Sequence, residues 1–115
     1  MKTINFLHNW NSKLDCDVFT TIRRHTQDKE EYYLDSVGEE FDILLNGVTY
    51  CYARLENMYC DRLINTPNAM LMVDTGATSA DGAYEVFGRF GLNGDSQVIV
   101  LTLIRKREDI REDKG

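Results

Sequence analysis

Residues 67–81 read PNAMLMVDTGATSAD, and two readings of them lead to two different folds. In the first, Met70 to Val73 is an apolar strand and Asp74-Thr75-Gly76 is an extended loop that presents a reactive carboxylate. In the second, Pro67 starts a helix, because its fixed φ suits the first helical position and its missing N–H is not needed there. Gly76 then ends the helix in the left-handed conformation, and Thr66 before the proline is the expected cap. The flanking sequence decides between them.

The loop reading belongs to the retroviral type of aspartic protease. There the Asp-Thr-Gly lies near the start of the chain and is followed by a flap, further strands and a second apolar pair ending in glycine. Here 41 residues follow Asp74. They open with TSADGAYEVFGRFG (78–91), where Thr78-x-x-Asp81 has a capping-box pattern and Ala83, Val86, Phe87 and Phe90 recur at helical spacing. The chain's last apolar run, VIVLTLI, has no glycine. The helix reading therefore stands, and the protease reading is set aside.

Outward from this pair of helices the chain is mostly extended. QVIVLTLIRK (97–106) is a β-branched run and the best candidate for a central strand. Upstream, EEFDILL (39–45) reaches Asn46-Gly47, the preferred two-residue hairpin turn, and leaves through VTYCYARLENM (48–58). Val48, Tyr50, Tyr52 and Leu55 alternate there until a break expected near Arg54. TINFLH (3–8) and DVFTTIRR (17–24) complete the strands, with NWNSKLD (9–15) irregular between them. The order is strands, a hairpin, two helices and a strand, which predicts an α+β domain with a mixed, strongly curved sheet. One domain over residues 1–106 is expected, with the charged REDIREDKG (107–115) as a tail.

Composition narrows the function. The chain has 115 residues, about one domain, and 43% apolar residues, enough for a core. The opening segment lacks the apolar run of a signal peptide and nothing is long enough to span a bilayer, so a cytoplasmic protein is expected. Cys16, Cys51 and Cys60 form no C-x-x-C pair, and His8 and His25 are far apart in sequence, so no local metal motif is present and no cofactor is expected. The net charge of −6 argues against gripping long duplex DNA. The charge is uneven, however. Asp28 to Asp42 holds seven acids and one base, whereas Thr20 to His25 holds two adjacent arginines and no acid. A local basic pocket on an acidic protein suits a small ligand or a short single strand.

The run KLDCDVFTTIRR, then YYLDSVGEEFDILLNG, a tyrosine-rich strand, a helix pair and a final β-branched strand resemble ASCH domains of the PUA-like superfamily. In those domains a T-I-R-like strand precedes a glycine turn that leads into a small barrel. Thr21-Ile22-Arg23 and Val37-Gly38-Glu39-Glu40 hold these places. The resemblance covers roughly residues 10–106 and implies a small, curved or open β-barrel with two or three short helices at one side and a cleft between. It further implies RNA or a modified nucleoside as partner. One branch of the family hydrolyses the acetyl amide of 4-acetylcytidine with a Lys and a Thr on the T-I-R strand and a Glu from the helical segment. Thr21 falls on the threonine's place and Asp74 near the glutamate's. Val18 falls on the lysine's place and cannot activate a nucleophile, although Lys13 and Arg24 are cations close by in sequence.

Three functions follow as expectations. The first is a non-catalytic domain binding RNA or a nucleoside-like ligand through Thr20, Arg23, Arg24 and Tyr50. The second is a small amidohydrolase using Thr21 and Asp74. The third is an acidic protein-interaction module built on Asp28 to Asp42. Individual residues keep a plain alternative. Arg23 either forks onto a phosphate or carboxylate or ties down a loop by pairing with those acids. Tyr32, Tyr33, Tyr50 and Tyr52, and Trp10, either stack on bases or pack. His25 is either a proton carrier or a lone surface histidine. Asp74, in a last helical turn, faces the negative end of the helix dipole and needs an offsetting donor, from Arg23 or Arg24 or from Thr75 and Thr78. Its carboxylate is expected to face the cleft beside the Thr21–Arg23 strand.

Overall fold

The computed structural model describes residues 1–106; the charged tail expected at 107–115 lies outside the described residues. Five strands are formed: β1 (Lys2–Phe6), β2 (Val18–Arg24), β3 (Glu40–Leu45), β4 (Val48–Arg62) and β5 (Gln97–Arg105). Three α-helices accompany them, α1 (Gln27–Asp35), α2 (Asn68–Thr75) and α3 (Ala80–Arg89), with short 3-10 turns at Trp10–Asp15 and Leu63–Asn65. The strands make one mixed sheet in the order β1-β3-β4-β5-β2, with β1 parallel to β3 and the other pairs antiparallel. The domain is α+β, as expected, and the sheet is not closed. Among the described residues no helix is long and apolar enough to cross a membrane, which says nothing of a β-barrel.

The apolar run at 97–105 becomes an interior strand because both its faces are covered. Ile99, Leu101 and Leu103 join a core with Ile4, Phe6, Leu14, Phe19, Phe41, Ile43 and Leu55. Val98 and Val100 face the other way, into a second core with Leu71 of α2 and Ala83 and Phe87 of α3. A strand buried on both faces reads as a continuous apolar run rather than an alternation.

The sheet curls towards the first core. Its edge strands β1 and β2 are four strand spacings apart, roughly 19 Å if the sheet were flat. Yet the rings of Phe6 on β1 and Phe19 on β2 are 6.2 Å apart, edge to face. The guanidinium of Arg23 on β2 donates to the Asn5 carbonyl on β1 at 3.0 Å. The bend is helped by two bulges in β4. Tyr50 is the extra residue opposite Ile43–Leu44 of β3, and Glu56 the extra one opposite Thr102–Leu103 of β5. Each bulge increases local twist. They replace the single break expected near Arg54. The buried face of β4 is Cys51, Ala53 and Leu55, while Val48, Tyr50 and Tyr52 point outward.

The hairpin turn at Asn46-Gly47 forms with φ of 52° and 82°, the left-handed pair this turn type demands. α1 was not legible as a helix. It follows Thr26, whose hydroxyl accepts from the Lys29 N–H, but it buries only Tyr33. Tyr33 belongs to the first core, so the helices do not all sit at one side: α2 and α3 cover the opposite face.

Candidate functional site

Five segments meet at the seam where β1 and β2 approach. They enclose an open cavity of about 360 Å³. Its cationic and acidic side chains are Lys13, Arg23, Arg24 and Asp74; its aromatic walls are Phe6, His8, Trp10, Phe87 and Phe90.

Asp74 arrives on α2. This helix begins one residue later than expected, with Pro67 rather than Thr66 at the cap, and the Pro67 carbonyl accepts from Met70 and Leu71. Thr66 instead turns its hydroxyl into the protein, where it has no hydrogen-bond partner among the described residues. Gly76 ends α2 at φ 75°, and its N–H donates to the Met72 carbonyl. A Cβ here would lie 2.7 Å from the Trp10 ring, so glycine is needed both for its φ and for this approach. α3 also starts one residue late, at Ser79, whose hydroxyl accepts from the Gly82 N–H; Thr78 is not the cap.

Lys13 arrives on the irregular segment 9–15, which forms tight turns with Asn11 and Ser12 at φ of 56° and 53°. Two successive left-handed residues without glycine are costly and persist only where the surroundings enforce them. The enforcing contacts are visible. The Asn9 side chain accepts from the Leu14 N–H at 2.9 Å, the Asn11 amide donates to the Val73 carbonyl at 3.2 Å, and Leu14 is fully buried. The turn points Lys13 inward, over the Phe6 ring at 5.1 Å.

Lys13 Nζ donates to Asp74 Oδ1 at 3.1 Å and to the Thr20 carbonyl at 3.0 Å. The Thr20 hydroxyl donates to Asp74 Oδ2 at 3.0 Å. The side chains of Lys13 and Asp74 are only 6% and 2% exposed. Burial pushes the Lys13 ammonium below its usual pKa, opposed by Asp74, and pushes the Asp74 carboxyl above its usual value, opposed by Lys13 and Thr20. The offsetting donors expected for Asp74 were arginines or Thr75 and Thr78; the partners are Lys13 and Thr20. The Thr75 hydroxyl bonds the Leu71 carbonyl instead. Asp74 does line the same cavity as Thr21 and Arg23. It sits in a last helical turn, not the extended loop that a protease aspartate requires.

Arg23 donates through Nε to the Thr21 hydroxyl at 3.1 Å and lies 4.8 Å above the Phe6 ring. Burial lowers its pKa, with Tyr33 and Asp74 opposing. Among the described residues its hydrogen bonds go to β1 and Thr21, not to the acids of Asp28 to Asp42. Arg24 donates to the Phe90 carbonyl at the end of α3. Thr21 is buried and faces the cavity; Thr20 reaches the site through its bond to Asp74. Trp10 stacks on His8 at 4.6 Å and 16°.

Tyr50 lies elsewhere. Its hydroxyl donates to Asp15, and Arg105 stands 5.9 Å from its ring. Tyr33 packs in the core, Tyr32 is half-exposed with Lys2 over its ring, and Tyr52 is exposed. The cavity's aromatics are thus phenylalanines, Trp10 and His8 rather than tyrosines. His25 is outside the cavity and pairs with Glu30. The cysteines are free. Sequence reasoning named Lys13 only as a nearby cation; the cluster of Asn9, Asn11 and Ser12 was the signal that a tight turn presents it. No family model, curated protein or solved structure matches this chain.

Proposed function

We propose that the chain is a binding domain for a nucleoside-like ligand, free or as one unstacked base of RNA, held in the cavity between β2, α2 and α3. The observation that carries this is a cationic floor under aromatic walls, on a chain whose net charge is −6. Lys13, Arg23 and Arg24 face one acid, Asp74, so the cavity has an excess of positive charge. Its volume lies within the roughly 300–1,000 Å³ of small-molecule sites. The exposed Phe90 ring offers a stacking partner for a planar base, and an arginine offers a fork for a phosphate or carbonyl. The resemblance to ASCH domains and their small open barrel is part of this proposal, supported by the curled sheet and the place of Thr21 and Arg23 beside the cavity. Trp10 is the chain's one tryptophan, so its fluorescence reads the site directly. Titration with nucleosides, nucleotides and short single-stranded RNAs should give a saturable change that weakens at least tenfold in Arg23→Ala. No change with any of them at low salt sinks the reading.

A second reading, a small amidohydrolase, is favoured by one specific observation: Lys13 brings to Asp74 and the Thr20 carbonyl, in the cavity that Thr21 also lines, the amine that Val18 lacks. A lysine whose pKa is lowered by burial can take a hydroxyl proton once it is neutral, and a threonine so activated can attack an amide carbonyl. Incubation with 4-acetylcytidine, followed for released cytidine, tests it. Activity should be lost in Lys13→Met and Thr21→Ala; activity that survives both excludes the assigned roles.

A further inference from the structure

Away from the cavity, three side chains from three elements converge. His25 follows the end of β2, Glu30 lies in the first turn of α1 and Cys60 lies on β4. His25 Nε2 is 2.7 Å from Glu30 Oε1, and one ligand atom from each of the three lies within 4.8 Å of the others. No other such group of histidine, cysteine and carboxylate side chains occurs among the described residues. All three are partly buried. Burial pushes the Cys60 thiol up, and the charge of Glu30 and a hydrogen bond to it act in the same direction.

We propose that His25, Glu30 and Cys60 bind a borderline-soft divalent metal ion of the zinc type. Imidazole nitrogen, thiolate sulfur and carboxylate oxygen are the three donor types that this ion takes, and the thiolate disfavours magnesium and calcium. Around a tetrahedral ion, with bonds of about 2.0–2.3 Å, neighbouring donor atoms stand roughly 3.5 Å apart. The His25–Glu30 contact has to open by roughly 0.8 Å, and the widest pair, within 4.8 Å, to close by up to roughly 1.3 Å. Glu30 has the freedom to move off His25, because its side chain is 37% exposed. The thiol releases its proton to solvent as the ion enters, and the fourth position is left to water. The site has a structural use. α1 buries one residue, Tyr33, so an ion held by Glu30 would pin its first turn to the sheet at β2 and β4. The spacing of 25, 30 and 60 matches no local metal motif, which is why the sequence does not announce it.

The test uses the full chain stripped of metal with a chelator and titrated with Co²⁺ and then Zn²⁺ alone. Co²⁺ should give thiolate-to-metal absorption saturating at one ion per chain, and Zn²⁺ should displace it. Cys60→Ser should abolish the absorption, and His25→Gln and Glu30→Gln should each weaken Zn²⁺ binding at least tenfold. Cys16→Ser, far from the cluster, should change neither. In the unmodified chain Zn²⁺ should also shield Cys60 from alkylation, a readout that needs no variant to fold. Absence of thiolate absorption, its survival in Cys60→Ser, or alkylation of Cys60 at an unchanged rate overturns the proposal.

Discussion

Removing one partner of the Lys13–Asp74 pair should cost far more than removing both. The pair is buried, with Nζ 3.1 Å from Oδ1. In Asp74→Leu the ammonium keeps the Thr20 carbonyl but loses its counter-charge; in Lys13→Met the carboxylate keeps the Thr20 hydroxyl but loses the cation. An uncompensated charge in such a place costs about 3–5 kcal/mol. The Phe6 ring beside Lys13 favours Met as the replacement, since it conserves the apolar stem. The double variant Lys13→Met/Asp74→Leu strands no charge and should lie within about 1 kcal/mol of the parent chain, because well-packed apolar replacements of buried ion pairs are often neutral or better. The coupling energy is then about 5 kcal/mol or more, above the usual upper end of about 3 kcal/mol for contacting residues. Against a total stability of about 5–15 kcal/mol the single variants still fold, near the limit. With a urea slope of about 1.5 kcal/mol/M, each single variant should lower the midpoint by about 2–3 M. Urea unfolding followed by circular dichroism measures all four chains. Single variants that each cost under about 1 kcal/mol, or a double variant equal to their sum, would refute the reasoning: the pair would then be solvated.

The same pair sets a pH dependence. The Asp74 carboxyl titrates above its unfolded value of 3.8, so between these two values the folded chain holds a proton the unfolded chain has lost. Stability contributed by this group therefore falls as pH rises through that window, and the parent chain should lose stability there relative to the double variant; parallel curves count against it. Gly76→Ala should destabilise by more than about 1 kcal/mol, from the positive φ and the 2.7 Å approach to Trp10, with a shift in Trp10 emission; a neutral thermal melt contradicts it. Thr66→Val should be neutral or stabilising by up to about 1 kcal/mol, since it removes a buried hydroxyl without a partner among the described residues; a loss above 1 kcal/mol in a thermal melt shows that the hydroxyl is satisfied.

The elements that the sequence predicted well are those whose signal is local. Asn46-Gly47 specifies its turn through φ alone, Gly76 its helix end, and 97–105 its burial on both faces. α1 failed because it carries charge where an amphipathic helix carries apolar residues. Only Tyr33 reaches a core, so the 3.6-residue period has nothing to display. The β4 bulges failed for a different reason. An extra residue at Tyr50 or Glu56 is fixed by the partner strand's register, and a single strand does not contain its partner.

The site follows the same division. Thr21, Arg23 and Asp74 line one cavity, and a strand's two-residue alternation and a helix stop are enough to put them on neighbouring faces without knowledge of the rest. Lys13 was not assigned, because its role depends on a contact across 61 residues and on two left-handed residues that few sequences signal. Tyr50 was assigned and lies elsewhere, because the bulge on which it sits turns it towards Asp15 and Arg105. The turn at Asn11-Ser12 is where local cost and distant gain meet. Its strain is sustained by Leu14 in the core and by the hydrogen bond from Asn11 to Val73 of α2, and what it delivers is an ammonium to a buried carboxylate. A chain seeking stability alone gains little from such a pair, since apolar side chains would fill the same space. That a strained turn nonetheless holds a buried charge pair at the wall of an open cavity supports a role for the pair in what the cavity binds.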